Sequence, residues 1–167
     1  WPRLERFNWA LDYFDVVARD NNAPALRILE ESGADTSCTY AELSKRSNQV
    51  ANFLVQQGAK AGDRVLLMLS NEIALWETML AAIKIGAVVI PATPLLHGAD
   101  LADRLQRGRV RQVVTNAAGV PKFDDLPAAA LAGVNRIAVT GGRAGWLDYR
   151  AADTMPATFA PATRTRA

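Results

Sequence analysis

The chain has 167 residues, 50% hydrophobic and 22% charged, with a formal net charge of +2; this is the mix of one soluble globular domain, and so small a charge gives no reason to expect a nucleic-acid partner. Cys38 is the only cysteine, which excludes an internal disulfide and fits a reducing compartment. No apolar run approaches the roughly 20 residues of a membrane span, since Lys84 and Gly86 interrupt the longest, and no signal-peptide pattern follows Trp1. The expected location is cytoplasmic, and the absence of an initiator methionine predicts that residues are missing in front.

In chain order, Asn8 caps a helix whose apolar face runs Leu11, Phe14, Val17 and Ala18 and which ends at Asp20-Asn21-Asn22, before Pro24. Residues 25–30 read as a strand, 31–35 as a turn around Gly33, and 36–40 as the hairpin partner. Thr39-Tyr40-Ala41-Glu42 has the form of a capping box, in which side chains at both ends satisfy free helix N–H groups. The helix it opens carries Leu43, Val50 and Leu54 on one face and stops at Gly58. Val65-Leu66-Leu67-Met68-Leu69 is a continuous apolar run, the mark of a parallel strand covered on both faces. Ser70 or Asn71 is expected to cap the next helix, with Ile73, Trp76, Met79, Leu80 and Ile83 inward and Gly86 as its stop. A short strand over 87–90 ends at Pro91, and a loop over 92–98 leads to a helix around Leu101 and Leu105. Strands follow at 110–115 and 135–140. The alternation predicts an α/β fold: a layered, largely parallel sheet with flanking helices and a small N-terminal β-hairpin. Residues 1–152 form that unit; 153–167, rich in Pro, Thr, Ala and Arg without periodicity, read as a linker or truncated end.

The residues offer little catalytic chemistry of their own. His97 is the sole histidine, and no Gly-x-Ser-x-Gly elbow precedes it, which argues against a Ser-His-Asp hydrolase. One His and one Cys far apart cannot close a zinc site. No Gly-x-Gly-x-x-Gly follows the first strands. Gly141-Gly142-Arg143-Ala144-Gly145 follows a strand and could present backbone N–H groups to a phosphate; without a Gly-Lys-Ser/Thr ending, a plain surface turn is the preferred reading. Arg104, Arg107, Arg109 and Arg111 make either an anion site or, as preferred, a solvated cluster in which Arg104, Arg107 and Arg109 complement a helix C-terminus. Trp9, Tyr13 and Trp76 fall at helical spacing among apolar residues and are expected in the core.

Several segments carry more. Residues 7–12 (Phe-Asn-Trp-Ala-Leu-Asp), 39–43 (Thr-Tyr-Ala-Glu-Leu), 48–54 (Asn-Gln-Val-Ala-Asn-Phe-Leu), 62–65 (Gly-Asp-Arg-Val) and 82–88 (Ala-Ile-Lys-Ile-Gly-Ala-Val) resemble, in order and spacing, the opening of AMP-forming acyl-CoA synthetases. Residues 90–96, Asp103-Arg104-Leu105 and Gly145-Trp146-Leu147-Asp148-Tyr149 are similar to the medium-chain branch. Ser70 departs from the proline usual before Asn71 in similar enzymes.

The resemblance implies an N-terminal subdomain of a ligase that uses ATP, Mg and CoA. A carboxylate attacks the α-phosphate of ATP to give an acyl-adenylate and pyrophosphate, and the CoA thiol then displaces AMP. It implies that Thr93, Pro94 and Leu95 line a tunnel for CoA, and more weakly that Lys122 meets the CoA phosphates. The family's phosphate loop ending in Pro-Lys, its aromatic-Gly-x-Thr-Glu motif, its ribose-binding Asp and its C-terminal lysine are not found in these residues. The expectation is therefore a piece with no catalytic or metal residues, inactive and binding no cofactor alone. Its partners would be the remainder of its parent chain and a small-molecule acid, with no nucleic acid and no transmembrane segment. An apolar flank should face the missing sequence. The alternative is a stand-alone CoA- or protein-binding module on the same fold.

Overall fold

The computed structural model describes residues 4–162. A π-helical stretch, Ala10–Phe14, continues as a helical turn, Asp15–Ala18 (together α1). An antiparallel hairpin follows, β1 (Pro24–Leu29) and β2 (Asp35–Thr39), and then α2 (Tyr40–Gln56). The chain next alternates: β3 (Arg64–Met68), α3 (Ile73–Ile85), β4 (Val88–Pro91), α4 (Gly98–Arg107) and β5 (Val110–Thr115). A 3-10 turn at Val120–Phe123, the short α5 (Ala128–Leu131), β6 (Asn135–Ala138), β7 (Leu147–Asp148) and a second 3-10 stretch, Tyr149–Thr154, complete it.

Strands β3 to β7 form one parallel sheet in the order β4-β3-β5-β6-β7. The pleat of β3 explains the layers. Val65 and Leu67 join the core under α2 and α3, whereas Leu66 and Met68 join the core under α4, because successive side chains of a strand point to opposite faces. Full burial of each such side chain contributes about 1.5–3 kcal/mol. The α/β class, the largely parallel sheet and the small hairpin are as the sequence predicts.

Local signals fix several element ends. Thr39 accepts from the Glu42 amide while the Glu42 carboxylate accepts from the Thr39 amide, completing the capping box. Gly86 ends α3 at φ +81°, the left-handed region a side chain resists. Asn8 caps α1 by accepting from the Ala10 and Leu11 amides, and its own amide donates to the Ile83 carbonyl at 2.6 Å, tying α1 to α3.

Other expectations are overturned. The buried stripe of α1 is Ala10, Phe14 and Ala18, and Val17 faces out. Neither Ser70 nor Asn71 caps α3: the N-cap is Glu72, without a side-chain cap bond. The Ser70 hydroxyl donates to the Glu72 carboxylate, while Asn71 accepts from the Trp76 indole. Trp9, Tyr13 and Trp76 are not core residues but exposed ones. α3 is apolar nearly all round, so its period could not select a face; Ala74, Leu80, Ala81, Ala82 and Ile85 are buried, together with the polar Glu77, Thr78 and Lys84. β4 takes in Pro91, which an edge strand tolerates.

Residues 153–162 run along α2. Asn48 and Asn52 donate to the carbonyls of Pro156, Ala157 and Thr158, and Gln49 to those of Asp153 and Met155. Met155 and Phe159 pack on the core. The last part of the 153–167 segment, residues 163–167, lies outside the described residues.

Candidate functional site at the C-terminal edge of the sheet

Counted within the large sheet, the strand order is 2-1-3-4-5. The chain leaves β3 for the edge strand β4 and then returns past it to β5. In a doubly wound sheet, that reversal opens a crevice at the C-terminal ends of the two strands where it occurs, and ligands bind there. The rim of this crevice is polar. The Thr115 hydroxyl donates to the Met68 carbonyl at 2.7 Å, and the Asn116 amide donates to the Glu72 carboxylate at 2.6 Å. The Asn116 side chain also accepts from the Ala118 amide, and Thr140, beyond β6, accepts from the Ala117 amide. These bonds hold three strand exits in one register and leave hydrogen-bonding groups at the edge. Among the described residues, no group of three or more His, Cys, Asp or Glu could hold a metal ion.

The sequence-predicted site residues lie on this same edge. Thr93, Pro94 and Leu95 form the turn that leaves β4. The Thr93 hydroxyl accepts from the Leu95 amide and its carbonyl from the Leu96 amide, which leaves Leu95 81% exposed. Lys122 sits in the 3-10 turn after β5, half-buried, with no ion pair among the described residues. The two loops flank the exit of β3, which separates their strands, and no hydrogen bond joins them. His97 follows in the β4–α4 loop with Nδ1 3.1 Å from the Leu95 carbonyl.

A second concavity, about 430 Å³, lies where β6 and β7 end, lined by Thr140, Gly141, Gly142, Arg143, Trp146 and Arg150. Gly141 stands at φ +67°, and a Cβ there would lie 2.6 Å from that of Ala117; only glycine lets the two turns meet so closely. Both arginines are already neutralised, Arg143 by Asp124 and Arg150 by Asp148. The glycine-rich turn is thus a surface turn with paired charges. Of the basic cluster, Arg104 and Arg107 lie in the last turn of α4, where cations complement the helix dipole.

Sequence reasoning missed the buried polar groups between α1, α2, α3 and the stretch after β7. Lys84 is fully buried, and its ammonium donates to Asp15 at 2.7 Å, Ser47 at 2.8 Å and Asn48 at 2.6 Å. Burial lowers its pKa against the opposing pull of Asp15. The Tyr149 hydroxyl donates to Glu77 at 2.8 Å and lies 3.3 Å from the Thr78 hydroxyl; burial, then Glu77, raises the phenol well above its ordinary value. Arg46 bridges Glu77 and Asp153; burial opposes its charge, and its carboxylate partners outweigh that cost and raise its pKa. Burial raises the Cys38 thiol, and Glu77 and Glu42 add to this, so it is no activated nucleophile. These groups tie α1, α2, α3 and the Tyr149–Thr154 stretch together.

Fold and edge together define an open, doubly wound α/β unit of the ligand-binding kind. Comparison with known proteins makes the assignment specific: residues 13–160 match the family model of the AMP-binding enzymes, and the chain belongs to that family. It is 34% identical over 157 residues to the mitochondrial acyl-coenzyme A synthetase ACSM5 of Rattus norvegicus, a match covering 89% of this chain and 27% of that protein. It is 28% identical to 4-hydroxybutyrate–CoA ligase 1 of Metallosphaera sedula, over 86% of this chain and 26% of that one. The crystal structure of a Brucella canis acyl-CoA synthetase superimposes with a TM-score of 0.85 at 25% identity, covering 99% of this chain and 30% of that one. The chain thus spans about a quarter of the length of the curated relatives it matches. Among the described residues, no helix is long and apolar enough to cross a membrane.

Proposed function

We propose that this chain is the N-terminal part of an AMP-forming acyl-CoA synthetase whose full-length form activates a carboxylic acid, of the medium-chain fatty class, with Mg-bound ATP. A carboxylate oxygen bonds to the α-phosphorus as pyrophosphate leaves; the CoA sulfur then bonds to the acyl carbon as AMP leaves. The 167 residues by themselves are inactive and hold no cofactor. The observation that carries the reading is the family match over 13–160, a range that includes every loop of the C-terminal edge. Support for the site comes from its chemistry. The uncharged turn Thr93, Pro94 and Leu95, with Leu95 protruding, suits the apolar, amide-bearing arm of CoA, and Lys122 supplies a cation without an ion pair among the described residues for a phosphate. The edge strand β4 leaves Val88 half-exposed at its N-terminal end, a face for the remainder of the parent chain. A location in the cytoplasm fits the unpaired Cys38.

The test is Leu95→Trp in the full-length parent. Thioester formation is expected to slow at least about tenfold while adenylate formation, followed by ATP–pyrophosphate exchange, is unchanged. Equal loss of both half-reactions would overturn the tunnel, and a wild-type parent without either would overturn the ligase. Measurable calorimetric affinity of the 167-residue chain for CoA would instead favour a stand-alone binding module.

A further inference from the structure

A third hollow, about 530 Å³, opens at the opposite edge of the sheet, where β3 and β5 begin. Four cations line it against one carboxylate: Lys60 from the α2–β3 loop, Arg64 from β3, Arg109 from the α4–β5 turn and Arg111 from β5, with Asp63. Arg64 is already committed. Its guanidinium donates to the carbonyls of Gly62, Gly108 and Arg109 at 2.8–2.9 Å. Gly108 and Arg109 lie just past α4, so Arg64 meets the negative end of that helix. Lys60, Arg109 and Arg111 are different: none has an ion pair among the described residues. The one carboxylate is turned to its own loop, Asp63 accepting from the Lys60 amide at 2.9 Å. Complementing a helix C-terminus therefore accounts for Arg104 and Arg107, but not for Lys60 and Arg111, which reach the hollow from other elements. Arg109 holds its place at φ +45°, where glycine would carry less strain.

We propose that this hollow is a binding site for a small organic phosphate monoester, its dianionic head between Lys60, Arg109 and Arg111 and its apolar body against the wall behind them. The volume falls within the roughly 300–1,000 Å³ of small-molecule sites. Between the charges the lining is Leu105, Val110, Ala130 and Val134, low-dielectric surface that focuses the field of the cations into the hollow. The forks of Arg109 and Arg111 match paired phosphate oxygens, and the Lys60 ammonium adds a compact charge. Three cations without a partner exceed what one carboxylate would neutralise, which favours a dianion. No aromatic ring lines the hollow, so it offers no stacking platform for a nucleic-acid base. It lies at the other ends of the strands from the loops of Thr93 to Leu95 and of Lys122, and it does not rest on the ligase reading.

Amide NMR of the isotopically labelled 167-residue chain, titrated with phenyl phosphate at about 20 mM salt, tests this. The amides of Gly58, Lys60, Gly108 and Arg111 are expected to shift together and saturate with a dissociation constant at or below about 1 mM, while those of Gly141 and Gly142 stay still. Phenol should shift none of them, and inorganic phosphate, which has no apolar body, should bind at least about threefold more weakly. Arg111→Gln and Lys60→Gln, both at exposed positions, should each weaken phenyl phosphate at least about fivefold. Arg19→Gln, at an exposed cation of α1, should leave it unchanged. Shifts that do not saturate, or an affinity that Arg19→Gln lowers as much as Arg111→Gln, would mean diffuse surface charge and overturn the proposal. So would a full-length parent whose phenyl phosphate affinity Arg111→Gln leaves unchanged, because the rest of the chain would then cover the hollow.

Discussion

The two faces of the parallel sheet are held in different ways. Under α4, Leu66, Met68, Leu101, Leu105, Val113, Phe123 and Leu126 make an apolar core. Under α2 and α3, an apolar core is overlain by Lys84, Glu77, Gln49 and Ser47, all buried, and by Arg46 and Asp15, which connect them to α1 and to the stretch after β7. An apolar face needs only the right volume, whereas a buried ion is tolerated only when each of its partners is in place. The polar face therefore fixes where distant segments sit, and the apolar one mainly adds stability.

Removing one partner of the buried ion pair should separate the two regimes most sharply. Asp15→Ala leaves the Lys84 ammonium with neutral acceptors alone, and urea unfolding should show a loss of about 3–5 kcal/mol. Replacing both partners, Asp15→Leu with Lys84→Met, should recover most of it; a double variant as unstable as the single one would mean that the pair itself holds the face together. On the apolar side, Leu105→Ala should cost about 2–4 kcal/mol by transfer and cavity terms, with no pH dependence, because no ionisable group is disturbed.

The smallest effect is expected at Tyr149→Phe, which takes a donor from Glu77: about 1–2 kcal/mol at neutral pH. Its signature is the pH profile. The folded-state pKa of this phenol is raised, so the unfolded chain ionises first, near pH 10. Its contribution is fully present below that pH and is lost as pH rises through the folded-state value. Urea midpoints from pH 9 to 11 should fall more steeply for wild type than for Tyr149→Phe; parallel slopes would mean that the phenol is not linked to folding.

Sequence legibility followed the range of the interaction. The capping box at Thr39 and Glu42 and the stop at Gly86 each involve residues within one or two turns, and both stand in the structure as the sequence predicts. The loops after β4 and β5 were singled out through the family resemblance, and the parallel crossovers set both strand exits on one edge of the sheet. The inward face of α3 was read only in part: Leu80 is buried and Met79 and Ile83 pack on the cores, but Trp76 faces out and Ala74, Ala81, Ala82 and Ile85 were missed, since a helix apolar on nearly every side has little periodic signal to read. Trp9 and Tyr13 were misplaced for a related reason: two apolar stripes share α1, and composition does not say which is covered.

The sequence by itself determined the order and kind of the elements, because hydrophobic period, caps and glycines act over a few residues. It also carried the family, through segments spread along the chain. Only the tertiary structure decided that Lys84 is a buried ion. Its acceptors Asp15 and Asn48 lie 69 and 36 residues away, and nothing local distinguishes a lysine that will find them from one that ends in water. The same holds for Tyr149, whose partner Glu77 is 72 residues distant: whether a buried polar group is satisfied depends on how the helices pack, and packing is set by the whole chain at once.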